Sequence, residues 1–204
     1  MLPTIITKGN DEPKYDQKEN KVYLISDTHF NHDNIATYCD RPKDFTDKII
    51  SNWCSTVKPD DLVIHLGDVL IGNRRTVDSI MAVLPGKKVL VMGNHDRQHS
   101  PMWWMSHGFN FACQAMKFRN CWLTHEPSTS LADGCELNIH GHLHNIWHGF
   151  HAEKTINIGG LEVPSPKKLR NPWQRLFAIE YTNYLPVEFD KFVAHPKKYL
   201  STGL

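Results

Sequence analysis

The sequence lacks a run of apolar residues long enough to span a lipid bilayer, and it shows no secretory apolar segment near its first residue. It holds five cysteines, an odd number, and no Cys-x-x-Cys pair. This usage disfavours a disulfide framework or a zinc ribbon and is typical of free thiols in a reducing compartment. We therefore expect a cytoplasmic protein that does not associate with membranes.

An excess of charge of one sign is also missing, because 23 Lys and Arg residues stand against 22 Asp and Glu residues. The net charge of +1 creates no overall field that would attract nucleic acid or an anionic membrane. A local basic stretch is formed by Lys167, Lys168, Arg170 and Arg175. A solvated surface is the favoured interpretation of this stretch, and a groove for a phosphate chain is the alternative.

Length and composition predict one globular domain. The chain has 204 residues, 40% of them hydrophobic, which is enough for a sizeable core. Residues 1–20 are mostly polar and predict an N-terminal arm or hairpin. Residues 21–204 are expected to form the single domain, and no obligate protein partner is expected.

Apolar periodicity predicts alternating strands and helices in the first half of the chain. Strands are predicted at 21–26, 61–66 and 87–92, and amphipathic helices at 46–57 and 77–84. This alternation is typical of βαβ units with a parallel sheet.

The second half, after about residue 108, is rich in predicted strands, including 109–118, 121–125 and 136–140. The segments 175–182 and 187–192 predict an antiparallel hairpin. The fold class is therefore predicted to be α/β, with two apposed sheets flanked by helices.

Five predicted strands end in side chains that can bind metal ions or transfer protons. These are Asp27 and His29, Asp68, the segment Asn94-His95-Asp96, His125, and the pair His142 and His144. The carboxyl ends of strands are where ligands bind in open α/β sheets. Asp27 and His29 lie two residues apart, so in extended backbone they point the same way. The alternative for all of them is turn capping and ordinary surface polarity.

The segment from Asn138 to His151 contains five histidines, and histidine is the commonest metal ligand. His142 and His144 follow a strand end, where near-extended backbone can present both imidazoles to neighbouring ions. His140, within the strand, is expected to be buried without binding metal. His148 and His151 are expected in a solvated loop.

The order of these motifs resembles the calcineurin-like metallophosphoesterase superfamily. The motifs are D-x-H at 27–29, G-D at 67–68, G-N-H-D at 93–96, a strand-end histidine, and G-H-x-H at 141–144. The run "DTHFNHDNI", followed by Arg41-Pro42, also resembles the small single-domain bacterial and phage members. The resemblance implies a four-layer α-β-β-α sandwich of two mixed sheets, with a dinuclear metal site at the carboxyl ends of the strands.

The resemblance also implies two ligand sets. One ion is expected on Asp27, His29, Asp68 and His144, and the other on Asp68, Asn94, His125 and His142. The ions are expected to be divalent Mn, Fe, Zn or Ni, with Mn the best support for activity in vitro. Two such cations, two carboxylates and a bridging hydroxide carry a net charge of about +1, which attracts a phosphate anion.

The resemblance assigns His95 to the phosphoryl group or the leaving oxygen, with Asp96 orienting its ring. Three further residues are candidates for contact with substrate phosphate: His32, Arg97 and Arg41. Arginine suits phosphate by its chemistry, although a surface arginine is the commoner case. Trp103 and Trp104 could stack a base, with burial in the core as the alternative.

The predicted function is hydrolysis of a phosphodiester by attack of a metal-bridging hydroxide. The expected substrates are nucleotides, cyclic nucleotides or nucleic-acid ends, because so short a chain leaves the cleft open. The alternatives are a phosphomonoesterase that acts on nucleotides or phosphoproteins, and a non-catalytic scaffold that keeps the fold.

Overall fold

The computed structural model describes residues 20–71, 74–145, 156–158, 161–163 and 171–195. Several sequence predictions lie outside the described residues: the N-terminal arm up to residue 19, the loop histidines His148 and His151, and the basic residues Lys167, Lys168 and Arg170. None of the helices in the described ranges is long and apolar enough to cross a membrane.

The described strands are β1 (Val22–Ile25), β2 (Leu62–His65), β3 (Lys87–Val91), β4 (Phe111–Cys113), β5 (Ala115–Phe118), β6 (Cys121–Thr124), β7 (Leu137–His140), β8 (Ile156–Ile158), β9 (Leu161–Val163), β10 (Gln174–Leu176) and β11 (Val187–Glu188). The described helices are α1 (Asp33–Tyr38), α2 (Phe45–Thr56), α3 (Arg74–Val83), α4 (Pro101–Ser106) and α5 (Phe189–Ala194).

Two mixed sheets form the body of the protein, which confirms the predicted α/β fold. The first sheet has the order β11-β1-β2-β3-β4, and all of its pairs are parallel except β11 with β1. The second has the order β10-β7-β6-β5, in which only β5 is antiparallel to its neighbour. β8 and β9 pair antiparallel in a separate two-stranded sheet.

Alternation of apolar side chains along β1 and β2 builds a core on each face of the first sheet. Ile25 and Val63 pack with Trp53 of α2 in one buried cluster. Leu24 and Ile64, on the opposite face, belong to a second cluster with strands of the other sheet. Each fully buried side chain of this kind stabilises the fold by about 1.5–3 kcal/mol.

The predicted hairpin of 175–182 with 187–192 is wrong. Its second segment instead forms β11, which joins the first sheet, and then turns into α5. Phe189 and Phe192 are both buried, whereas the two residues between them are exposed. This spacing of three is the period of a helix rather than of a strand.

The single strand predicted at 109–118 is divided at Gln114. Its first part is β4 in the first sheet, and its second part is β5 in the other sheet. The chain therefore passes from one sheet to the other at this point, which periodicity alone does not reveal.

His65, at the end of β2, fixes the start of the next loop. Its Nδ1 accepts a hydrogen bond from the Gly67 amide (3.1 Å), and its Nε2 lies 3.0 Å from the Thr28 hydroxyl. That hydroxyl donates to the Val69 carbonyl, so a neutral His65 carries its proton on Nε2. Burial lowers the pKa of His65 to about 3.

We expect the stability of the metal-free protein to fall with acidification because His65 must stay neutral. The folded state binds fewer protons than the unfolded state between the ordinary pKa of 6.5 and a pKa of about 3. Stability from this group is therefore lost as the pH falls through that window. The loss between pH 6.5 and pH 5.0 is about 2 kcal/mol, from roughly 1.4 kcal/mol per pKa unit.

Urea unfolding at both pH values in EDTA measures this effect. His65→Gln should show a smaller decline than the wild type, whereas His99→Gln, at a partly exposed position, should keep the wild-type decline. Equal declines in all three proteins would contradict the assignment.

Candidate metal centre

The loops that follow the parallel strands run side by side at one edge of the two sheets. The amides of Asp27 and His29 donate to the carbonyls of Gly67 and Asp68, at 2.9 and 3.0 Å. These bonds tie the loop after β1 to the loop after β2. In the second sheet, the Gly141 amide donates to the His125 carbonyl at 3.0 Å. The polar side chains predicted at strand ends therefore gather in one place.

Gly67 is required where three of these loops meet. Its φ is +97°, and a Cβ at this position would lie 2.6 Å from both the Gly93 amide nitrogen and His125 Nδ1. No side chain fits in that space, and glycine alone adopts such a conformation without strain.

Left-handed backbone is concentrated at the predicted ligands. Positive φ values are found at Asp27 (53°), His29 (46°), Asp68 (56°), His142 (69°) and His144 (48°). Such conformations cost about 1–3 kcal/mol each for residues other than glycine and cluster at functional sites. The extended backbone expected for both D-x-H and H-x-H is therefore wrong, because each motif lies in a tight turn.

The first group of candidate ligands is Asp27, His29 and His144. Asp27 Oδ1 lies 3.9 Å from His29 Nε2 and 3.7 Å from His144 Nε2. One ligand atom from each of the three residues lies within 4.8 Å of the others. All three residues are buried.

The second group contains Asp68, His125, His142 and Asn94. His125 Nε2 lies 3.3 Å from Asp68 Oδ2, 3.1 Å from Asn94 Oδ1 and 3.1 Å from His142 Nδ1. One ligand atom from each of Asp68, His125 and His142 lies within 4.8 Å of the others.

Asp68 lies between the two groups. Its Oδ2 is 3.6 Å from His29 Nε2 on one side and 3.3 Å from His125 Nε2 on the other. Its second oxygen, Oδ1, accepts a hydrogen bond from the His95 amide at 3.0 Å. The structure thus brings all seven predicted ligands together, with one carboxylate in reach of both histidine sets.

The protonation of His125 shows why this site suits a cation. Its Nδ1 lies 2.7 Å from the Leu66 carbonyl, which can only accept a hydrogen bond, so Nδ1 carries a proton. In the neutral ring, the Nε2 lone pair then faces a carboxylate oxygen and an amide oxygen, which are also acceptors. Three acceptors that converge need a proton or a metal ion between them.

The pKa values of His125 and Asp68 also indicate a site that suits a cation. Burial disfavours the imidazolium, yet the Asp68 carboxylate raises the pKa of His125 to about 9. Burial also opposes ionisation of Asp68, but His125 holds the pKa of that carboxyl well below its usual range. A divalent ion would take the place of the shared proton.

His29 provides a second test of fit. Its side chain is 3% exposed, and neither ring nitrogen has a hydrogen-bond partner. A buried, unpaired imidazole nitrogen is costly unless something else binds it. A metal ion beside Asp27 and Asp68 would bind Nε2, so the donor set fits divalent transition ions.

His95 lies at the mouth of the centre with its side chain 35% exposed. Its Nε2 is 4.0 Å from Asp68 Oδ2, and its ring contacts that of His29 edge-on. This position lets the imidazole reach a group bound on the open side.

The predicted role of Asp96 in orienting the His95 ring is wrong. The Asp96 carboxylate is fully buried, and it accepts hydrogen bonds from the amides of Asp68 (2.7 Å), Val69 (3.0 Å) and Gly93 (2.8 Å). Burial raises the pKa of Asp96 to about 6 against the effect of these donors. Asp96 therefore ties the loops after β2 and β3 together beneath the centre.

Arg41 does not contact substrate as expected, because its side chain is fully buried. Its guanidinium donates to Glu180 at 2.7 Å and to the carbonyls of Asp27 (2.8 Å) and Thr28 (3.2 Å). Glu180 Oε1 in turn lies 3.2 Å from His144 Nδ1. Arg41 and its partner Glu180 therefore contact the backbone of Asp27 and the ring of His144, two members of the first ligand group.

Glu180 was not found from the sequence. Its only signal is a single acidic residue in the apolar stretch "LFAIEY", where a buried charge needs a partner. It lies in a 3₁₀ turn, Ile179–Thr182, rather than in the predicted strand.

Among the predicted substrate-contact residues, His32 borders the centre. The His32 ring lies 5.4 Å from that of His29 and 6.0 Å from that of His95, and its buried Nδ1 has no hydrogen-bond partner. Arg97 is 42% exposed and pairs with Glu126 at 3.3 Å.

Neither tryptophan offers a free face to a base. The Trp103 ring is stacked between His99, at 3.7 Å, and His107, at 4.0 Å. Trp104 is buried, with its indole nitrogen donating to the Asp96 carbonyl at 2.9 Å. Both therefore belong to the packing around α4.

Comparisons with known proteins agree with this geometry. The chain is 31% identical over 179 residues to the uncharacterized protein MJ1445 of Methanocaldococcus jannaschii, an alignment that covers 85% of this chain and 89% of that protein. It is 36% identical over 86 residues to the Gene 66 protein of Mycobacterium phage D29, or 40% of this chain and 43% of that protein.

A solved structure of a protein of unknown function from Aquifex aeolicus, AQ665, is similar with a TM-score of 0.61 and 25% identity. The match covers 86% of this chain and 98% of that one. The family model described as calcineurin-like phosphoesterase matches residues 20–201, as the motifs predicted. The chain therefore belongs to the calcineurin-like phosphoesterase family.

Proposed function

We propose that this protein hydrolyses phosphodiesters with two divalent metal ions held by the seven strand-end ligands. The observation that carries the proposal is the convergence of two groups, Asp27/His29/His144 and Asp68/His125/His142, on the Asp68 carboxylate. Two bound ions would lower the pKa of a water molecule and polarise the phosphoryl oxygens. Manganese is the metal we expect to support activity best in vitro.

Asp68, His95 and His32 have separate roles in the proposed reaction. Asp68 fixes the spacing of the two positions, since one of its oxygens is held by the His95 amide and the other faces both histidine sets. His95 is partly exposed at the mouth, where its imidazole can donate a proton to the leaving oxygen. His32 borders the same opening and can contact a phosphoryl oxygen.

The charges of the neighbouring arginines favour a diester over a monoester. Arg41 is paired with Glu180 and buried, and Arg97 is paired with Glu126. Both predicted phosphate clamps are therefore neutralised by a carboxylate. A phosphomonoester carries up to two negative charges and needs more cationic contacts than a phosphodiester, which carries one. Nucleotide or nucleic-acid-like diesters are the proposed substrates.

A paired assay tests the proposal directly. Manganese-loaded protein should hydrolyse bis-p-nitrophenyl phosphate with a higher kcat/KM than p-nitrophenyl phosphate. The reverse order would support the phosphomonoesterase alternative, and inactivity on both with no bound metal would support the scaffold. We further propose a cytoplasmic location, for which the five free cysteines are the support.

Elemental analysis of protein purified without chelator should show two transition ions per chain. Asp68→Asn should lose both, because it removes the carboxylate in reach of both groups. The matched variant His95→Asn should keep both ions and lose kcat by roughly 10²–10⁴, since it lacks only the proton donor. The loss should be smaller for p-nitrophenyl esters, whose leaving group needs no proton. Metal-free His95→Asn protein would contradict this division.

Gly141→Ala should weaken metal binding at least about tenfold, although it replaces no ligand residue. A Cβ at Gly141 would overlap the Ser26 hydroxyl and the Asp27 carboxylate, so Asp27 would have to move. Overpacking of this kind costs typically 1–3 kcal/mol. Calorimetric titration with Mn²⁺ measures the effect, and wild-type affinity in the variant would show that Asp27 does not need its present position.

A further inference from the structure

The two candidate metal positions differ in what supports their histidines. His125 donates from Nδ1 to the Leu66 carbonyl, a neutral acceptor, at 2.7 Å. His144 instead has its Nδ1 3.2 Å from Oε1 of Glu180, a carboxylate. In both cases Nε2 is left to face the centre, but the acceptor behind the ring is charged at only one of the two positions.

Glu180 is held firmly in this place. Its side chain is 5% exposed, and its Oε1 accepts from Arg41 Nη2 at 2.7 Å and from Arg41 Nε at 3.0 Å. The same guanidinium donates to the carbonyls of Asp27 and Thr28, which belong to the first metal position. Arg41 Nη2 also lies 3.3 Å from His144 Nδ1. A guanidinium can only donate, so when Nε2 is left for an ion and Nδ1 carries the proton, Glu180 is the acceptor for that proton. Arg41 thus holds the backbone of the first metal position, and Glu180 holds its imidazole.

The proximity of Arg41 limits how Glu180 can act. Because the Arg41 guanidinium lies beside the Glu180 carboxylate, the two opposite charges nearly cancel when felt from farther away. An ion in the centre therefore experiences little net electric field from the pair. What remains is local: a charged acceptor fixes the ring orientation and the tautomer of His144 and makes its Nε2 a better electron donor. A neutral carbonyl, as behind His125, does this more weakly.

We propose that Glu180, clamped by Arg41, is a positioning residue that selectively strengthens metal binding at the Asp27/His29/His144 position. Glu180 belongs to none of the motifs that define the centre, and neither Glu180 nor Arg41, both buried, reaches the open side where substrate would bind. The inference rests on the ligand set of the proposed function.

The test separates the two positions by removing one ligand from each. His142→Ala protein should keep only the Asp27/His29/His144 position, and His29→Ala protein should keep only the Asp68/Asn94/His125 position. Glu180→Gln is then added to each, since glutamine keeps the size and an acceptor oxygen but loses the charge. Binding of Mn²⁺ is measured from the electron paramagnetic resonance signal of the free ion.

Glu180→Gln should lower Mn²⁺ affinity by about 10–100-fold in the His142→Ala background and by less than threefold in the His29→Ala background. Glu188→Gln is the matched control, because Glu188 is an acidic residue that pairs with Lys21 and Lys191 and has no contact with His144. It should change neither affinity. Equal losses from Glu180→Gln in both backgrounds, or no loss in either, would overturn the proposal.

A second variant guards against misfolding, because Glu180→Gln leaves the buried Arg41 without its counter-charge. Glu180→Asp keeps that charge while withdrawing the carboxylate from His144 by one methylene. It should lower affinity in the His142→Ala background alone, and unchanged affinity there would also overturn the inference. If instead the His142→Ala and His29→Ala proteins themselves do not each hold one ion, it is the proposed ligand set that fails.

Discussion

The hydrogen bonds of the Asp96 carboxylate are the constraint on which the centre depends. Three amides donate to it, from Asp68 and Val69 in one loop and from Gly93 in the next. These bonds join two strand-end loops and fix the backbone of the residue that lies between the metal positions. The His95 amide then fixes the Asp68 side chain. The buried Asp96 carboxylate thus positions the Asp68 carboxylate toward the proposed metal ions.

Several candidate ligands reach their positions only with strained, left-handed backbone. Two-residue spacing in a strand places side chains on one face but spreads them by nearly 7 Å, too far for a single ion. Left-handed turns at Asp27 and His29 shorten the path and bring their ligand atoms within 4.8 Å of each other. His142 and His144, whose φ values are also positive, belong to different ligand groups. The hydrogen bonds from the first loop to Gly67 and Asp68 stabilise this conformation.

Features that depend on neighbouring residues in the sequence could be predicted, whereas features that depend on contacts between distant residues could not. The candidate ligands follow apolar strands, so their position at the sheet edge could be predicted from the general rule for α/β sheets. The Arg41–Glu180 pair joins residues 139 apart, and no local pattern connects them. The role predicted for Asp96 was wrong for a related reason. Although Asp96 follows His95 in the sequence, its carboxylate accepts hydrogen bonds from amides of Asp68, Val69 and Gly93.

The centre lies across the seam between the two sheets. Asp27, His29, Asp68 and Asn94 follow strands of the first sheet, whereas His125, His142 and His144 follow strands of the second. Each bound ion would therefore cross-link the two halves of the protein, which also pack against each other through the apolar layer between them. An ion that binds only the folded state would stabilise it in proportion to the logarithm of the ion's concentration, so the supply of metal would also affect resistance to proteolysis.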